Sequence, residues 1–118
     1  MRIYTRKGDD GTTGLLFGGR VRKDAEAPMA YGAVDEAQAA IGLARAEAEP
    51  GGRLDEILVA VCRDLYVCMA ELATLASNRA KLVAGSTLAT PAMVEALEPV
   101  IDEVTALFPA VEDFVIPG

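Results

Sequence analysis

The sequence predicts an all-α helical bundle preceded by a glycine-rich, basic loop. Three observations lead there: an unbroken apolar stripe at helical spacing through the middle of the chain, two flanking helical patterns bounded by Pro and Gly, and a first segment unlike the rest in composition. With 118 residues, 52% apolar and 25% charged, the chain reads as one domain near the small end of what buries its own core.

The first 24 residues hold five of the 11 glycines and six of the 11 Lys or Arg, giving them a formal charge of +3 in a protein of net charge −7. An anionic ligand is expected at this end. Gly8, Gly11, Gly14, Gly18 and Gly19 let the backbone bring successive N–H groups close to an anion. Thr5, Thr12 and Thr13 add hydroxyls, and Asp9 or Asp10 is placed to orient the loop or hold a metal-bound water. An ordinary polar hairpin has the same composition, with strands around 3–4 and 15–17 and turns at 8–14 and 18–19. The residues alone leave both readings open. Neither G-x-x-x-x-G-K-[ST] nor G-x-G-x-x-G occurs, so a nucleotide would have to be held by another design.

The first helix is expected to start at an Asp24 N-cap, with Pro28 in the first turn and Val34, Ala37, Ile41 and Ala44 on its apolar face. Glu49-Pro50-Gly51-Gly52 stops it. The second carries Leu54, Ile57, Leu58, Val61, Cys62, Leu65, Met69, Leu72 and Leu75 at alternating steps of three and four, which predicts a helix over about 54–76. Residues 77–89 read as a connection. Thr90 caps a third helix with Pro91 at its first position and Met93, Val94, Leu97, Ile101 and Val104 along one side; Pro99 kinks or divides it.

Composition also excludes. The chain has no His, which removes Ser-His and Cys-His nucleophiles. Cys62 and Cys68, six positions apart on one helix, point about 240° apart and about 9 Å along the axis, too far to bridge, and read as buried structural thiols in a reducing compartment. No zinc site is expected. Nor is nucleic acid, given the acidic balance. No apolar run approaches the roughly 20 residues that span a bilayer, and no signal peptide is visible, so no membrane and a cytoplasmic location are expected.

Taken together and in order, Thr5-Arg6-Lys7-Gly8-Asp9-Asp10-Gly11-Thr12-Thr13, Gly19-Arg20-Val21-Arg22-Lys23-Asp24, Tyr31-Gly32-Ala33-Val34-Asp35-Glu36, Ile41-Gly42 and Phe114-Val115-Ile116-Pro117-Gly118 resemble the PduO-type ATP:cob(I)alamin adenosyltransferases. The resemblance covers 3–118. It implies a five-helix, ferritin-like bundle assembled as a homotrimer, of which 1–24 form the nucleotide loop and 25–118 the first three helices of a single domain lacking the last two. It further implies transfer of the 5′-deoxyadenosyl group of ATP to cob(I)alamin, with Mg²⁺ as cofactor and triphosphate as the other product. Carried over residue by residue, ATP falls to Thr5, Arg6, Lys7, Gly8, Asp9, Gly11, Thr12, Thr13, Gly14 and Lys23, with no protein metal ligand. Asp35 pairs with an Arg of a neighbouring subunit, and Phe114 packs on the corrinoid face that the lower axial ligand leaves. Lys7 stands where the family usually has Thr, and Gly14 where a hydroxyl is common. A non-catalytic module that binds nucleotide or cobalamin, retaining the bundle and the loop without the reaction, is the alternative.

Overall fold

The computed structural model describes residues 3–110 and 112–116; Arg2 of the basic segment and Pro117-Gly118 of the last motif lie outside them. Along the chain come β1 (Thr12–Gly14), β2 (Arg20–Arg22), α1 (Glu26–Ala46), α2 (Arg53–Leu72), a 3₁₀ turn over Ala76–Lys81, α3 (Pro91–Glu95) and α4 (Leu97–Thr105). The all-α expectation therefore holds for the body, with one small antiparallel hairpin at the start, registered Thr12 to Arg22, Thr13 to Val21 and Gly14 to Arg20.

The hairpin strands are 12–14 and 20–22 rather than 3–4 and 15–17. The backbone explains the shift. Phe17, Gly18 and Gly19 all have positive φ (61°, 101° and 94°), so the reversal falls on 15–19, closed by the Leu15 N–H on the Gly19 carbonyl at 3.0 Å. Gly19 is required for a second reason: a Cβ there would run into Leu75, beyond the C-terminal end of α2. Leu16 donates its N–H to the Ala73 carbonyl (2.8 Å), and the Asn78 amide donates to the Phe17 and Gly18 carbonyls (3.3 and 3.4 Å). The hairpin tip is thereby docked on the helical body.

Asp24 does not cap α1. Its carboxylate is held by the Arg22 guanidinium at 2.7–2.8 Å, and Ala25 occupies the cap without a side-chain bond. Pro28 still falls in the first turn, where a missing N–H costs nothing. On α1 the more shielded positions are Tyr31, Val34, Gln38 and Ile41, while Ala37 and Ala44 are exposed. The polar member of that face is satisfied: the Gln38 amide donates to the Cys62 carbonyl of α2 at 2.8 Å.

The α1–α2 turn is clasped by Asp55, whose carboxylate accepts the Gly51 N–H (3.0 Å) and the Arg45 guanidinium (2.5 Å). Both partners, the Gly51 amide first, hold its pKa below the usual value. At the other end of α2, Glu71 accepts from Arg79 (2.5 Å) and from the Ala89 N–H (2.9 Å), fixing both feet of the following connection.

Thr90 and Pro91 begin α3 as expected, although Thr90 makes no side-chain cap bond. Pro99 divides the third helix: lacking an N–H, it cannot bond the Glu95 carbonyl, and the helix breaks at Ala96 between α3 and α4. The apolar side of α3 and α4 stays largely open, with Ile101 60% exposed. Nor does the α2 stripe make a sealed core. Among the described residues the one buried apolar side chain is Val67, 8% exposed and off the stripe, and the one buried polar side chain is Thr74, whose hydroxyl bonds the Ala70 carbonyl. Cys62 and Cys68 are free and half-buried rather than buried. The chain exposes 9195 Å², against roughly 6,100 Å² for a compact monomer of this mass.

Candidate functional site

The loop of residues 5–14 closes on itself through a short polar network. Asp10 Oδ1 accepts the Thr12 hydroxyl (2.7 Å) and the Thr12 N–H (2.9 Å), an Asx turn that holds the Asp10 carboxyl below its ordinary pKa, with Arg20 adding a smaller pull. The same hydroxyl accepts from Arg20 Nε and Nη2 at 3.0 and 2.7 Å. Its single proton and both lone pairs are committed inside the loop. The Thr12 hydroxyl proton is directed at Asp10 within the loop.

Lys23 reaches the same loop from just beyond β2. Its N–H donates to the Gly11 carbonyl (2.9 Å), and Gly11 takes the positive φ of 81° that presents that carbonyl. Its ammonium lies over Gly8, so a Cβ on Gly8 would stand 3.2 Å from Lys23 Cε and Nζ and 2.9 Å from the Thr12 carbonyl oxygen. Gly8 is therefore glycine because a cation and a backbone approach it from two sides. Among the described residues, neither Lys7 nor Lys23 forms an ion pair.

The remaining expected residues are distributed around this centre. Thr5 accepts the Lys7 N–H at 3.4 Å. Arg6, at φ 60°, places its guanidinium over the Tyr4 ring, 5.5 Å from the centroid. Asp9 is exposed. Gly14 belongs to β1, opposite Arg20, and the Thr13 hydroxyl makes only a long contact of 3.5 Å to the Gly14 carbonyl. Gly18 and Gly19 serve the docking turn instead of the anion loop.

Asp35 lies elsewhere, on a mostly apolar groove of about 590 Å³ between Leu16 of the hairpin, Tyr31 and Gly32 of α1, Tyr66 and Met69 of α2, and Ala73 just after α2. Leu16 links the two places, because the tip that carries it is the continuation of β1. Phe114, fully exposed in a segment without regular secondary structure, does not line that groove. Sequence reasoning missed the roles of Arg20, which acts across the hairpin, and of Asn78, which reaches the hairpin tip from the 3₁₀ turn, on residues that no periodicity relates to them. Among the described residues no three His, Cys, Asp or Glu side chains converge to hold a metal.

Comparison with known proteins places this arrangement. The family model described as cobalamin adenosyltransferase matches residues 3–118. A corrinoid adenosyltransferase of Mycobacterium bovis is 38% identical over 117 residues, covering 99% of this chain and 60% of its own length. One from Bacillus subtilis is 36% identical over 121 residues, covering 100% and 59%. Among solved structures, a variant PduO-type ATP:corrinoid adenosyltransferase from Lactobacillus reuteri, complexed with cobalamin and ATP, superposes with a TM-score of 0.82 at 27% identity, over 99% of this chain and 62% of that one. Another variant, complexed with ATP, gives a TM-score of 0.79 at 30% identity, over 98% and 63%. The chain spans about three-fifths of the length of these relatives. With a basic loop gathered around Gly8 and Lys23 and a family match over nearly every residue, the chain belongs to the cobalamin adenosyltransferase family.

Proposed function

We propose that this chain supplies the nucleotide loop and the leading helices of an ATP:cob(I)alamin adenosyltransferase. The observation that carries the reading is the Lys23 ammonium lying over Gly8, in a chain of this family. In the reaction, Co(I) attacks the 5′ carbon of ATP with its electron pair. A cobalt–carbon bond forms, the C5′–O bond breaks, and triphosphate leaves with the bonding electrons. No protein nucleophile is needed, which suits a chain without His. The protein's part is to position ATP and to stabilise the charge gathering on triphosphate.

Lys7 and Lys23 are assigned to the phosphates, with the amides around Gly8 and the hydroxyls of Thr5 and Thr13 as further donors. Arg6, Asp9, Gly11 and Gly14 shape the loop that presents them. Magnesium is assigned to the phosphates of ATP as their counter-ion. Asp35, on the rim of the groove, is assigned to an ion pair with a neighbouring subunit. Phe114 is assigned to the lower corrinoid face, where an apolar ring keeps water from cobalt. A homotrimer would cover apolar surface such as Tyr66, 66% exposed; sedimentation at micromolar concentration tests it, and a monomer would remove the role given to Asp35. The free thiols Cys62 and Cys68 are compatible with the cytoplasm, and no helix among the described residues is long and apolar enough to cross a membrane.

Calorimetric titration with ATP tests the central assignment. Lys23→Ala should weaken binding by about 1.5–3 kcal/mol through loss of one charge-assisted contact, with Lys81→Ala as the unaffected control. Equal affinity in wild type and Lys23→Ala would remove the phosphate role.

A further inference from the structure

One cation of the basic segment, Arg20, is engaged inside the loop itself, and its placement gives it a different task. Arg20 stands at the start of β2, opposite Gly14, and its guanidinium turns back across the hairpin. Nη2 donates to the Lys7 carbonyl (2.6 Å), to the Thr12 hydroxyl (2.7 Å) and, at 3.3 Å, to the Thr12 carbonyl, while Nε donates to the same hydroxyl at 3.0 Å. The Asp10 carboxylate, 3.9 Å from Nη2, offsets its charge. The fork thereby ties residue 7 to residue 12, the two sides of the loop that Gly8 occupies.

A trans peptide points its carbonyl and its N–H to opposite sides. Capture of the Lys7 carbonyl by Arg20 therefore aims the Gly8 N–H away from the guanidinium. Among the described residues that N–H has no protein acceptor, and the Lys23 ammonium lies beside the same residue. We propose that Arg20 is a positioning residue for the triphosphate of ATP: it does not touch the ligand, but sets the Gly8 amide and the flanking cations Lys7 and Lys23 in the geometry that does. The inference rests on the nucleotide reading of the loop. The planar fork grips at two nitrogens, Nη2 on the Lys7 carbonyl and the Thr12 hydroxyl and Nε on the same hydroxyl, a fixed orientation that the single rotatable ammonium of lysine does not reproduce.

Calorimetry with ATP and with inorganic triphosphate, on wild type, Arg20→Ala, Arg20→Lys and Lys23→Ala, tests it. Arg20→Ala and Arg20→Lys should both lose about tenfold or more in affinity, by the same factor for the two ligands, with the thermal midpoint unchanged. Added methylguanidinium should restore affinity to Arg20→Ala and leave wild type unaltered. Wild-type affinity in Arg20→Lys would make Arg20 a simple point charge and overturn the proposal, as would wild-type affinity in Arg20→Ala. If Lys23→Ala alone weakens binding, the nucleotide reading stands and the role of Arg20 falls; if wild type binds neither ligand, both fall.

Discussion

The hairpin loop and the helical pair α1–α2 occupy adjoining parts of one chain but are ordered by different forces. In the loop, Asp10, Thr12 and Arg20 exchange four hydrogen bonds of 2.7–3.0 Å, and glycine supplies the backbone angles. Apolar burial contributes little there. In the helical pair, order comes from side chains shielded along α1 and α2, with Gln38 and Asp55 as isolated polar fastenings. Directional bonds fix where groups point, which a binding loop needs. Apolar contact is tolerant of exact angle and scales with area, so it can support a body whose outer faces await cover.

If that division is real, damage to one region should leave the other's property intact. The largest effect is expected from Val67→Ala, which removes two methyl groups from the one buried apolar position among the described residues and should cost about 2–3 kcal/mol in urea unfolding. Triphosphate affinity, measured well below the unfolding transition, should stay as in wild type. A smaller effect of the opposite kind is expected from Gly8→Ala. Its Cβ meets the Thr12 carbonyl at 2.9 Å and Lys23 at 3.2 Å, so ATP binding should weaken about tenfold, roughly 1.4 kcal/mol, with little change in the unfolding midpoint. Global unfolding of Gly8→Ala would show that the two regions are one cooperative unit.

The smallest and most local effect is a pH response of the loop. The folded pKa of Asp10 lies below its ordinary 3.8, held down by the Thr12 hydroxyl and amide. A depressed carboxylate contributes in full above its unfolded pKa, and that contribution is lost as pH falls through the folded value. Exchange protection of the Thr12 amide should therefore persist at about pH 5 and fall away only below 3.8, while the helical circular dichroism is still unchanged. Asp10→Asn should remove the transition.

The same division explains what could be read in advance. The α2 stripe announces its helix because burial repeats with the helical period, and Pro91 and Pro99 mark a start and a break by their missing N–H groups. Polar order has no period. Asp24 looks like a cap from its position, yet Arg22 two residues earlier captures it. Arg20 is related to Lys7 and Thr12 only through the hairpin register, 13 and eight residues away. The strands, three residues each, are too short to alternate visibly, and their position depends on where Phe17 to Gly19 turn. The glycines of the first segment look alike in sequence but divide in space, Gly8 and Gly11 in the loop and Gly18 and Gly19 in the docked tip.

The two bonds to Glu71 matter for a property of the chain beyond this fold. Because Arg79 and Ala89 are both fastened to one carboxylate, the connection between them begins and ends at nearly the same point. Its middle is closed independently, the Val83 carbonyl accepting the N–H groups of Ser86, Thr87 and Leu88 at 2.9–3.0 Å. A loop with fixed feet can change length at its tip with only a logarithmic entropic penalty. Inserted sequence or a fluorophore tag at residues 85–86 is therefore expected to leave α2 in place and to be felt first at Thr87, which the same turn sets on the groove.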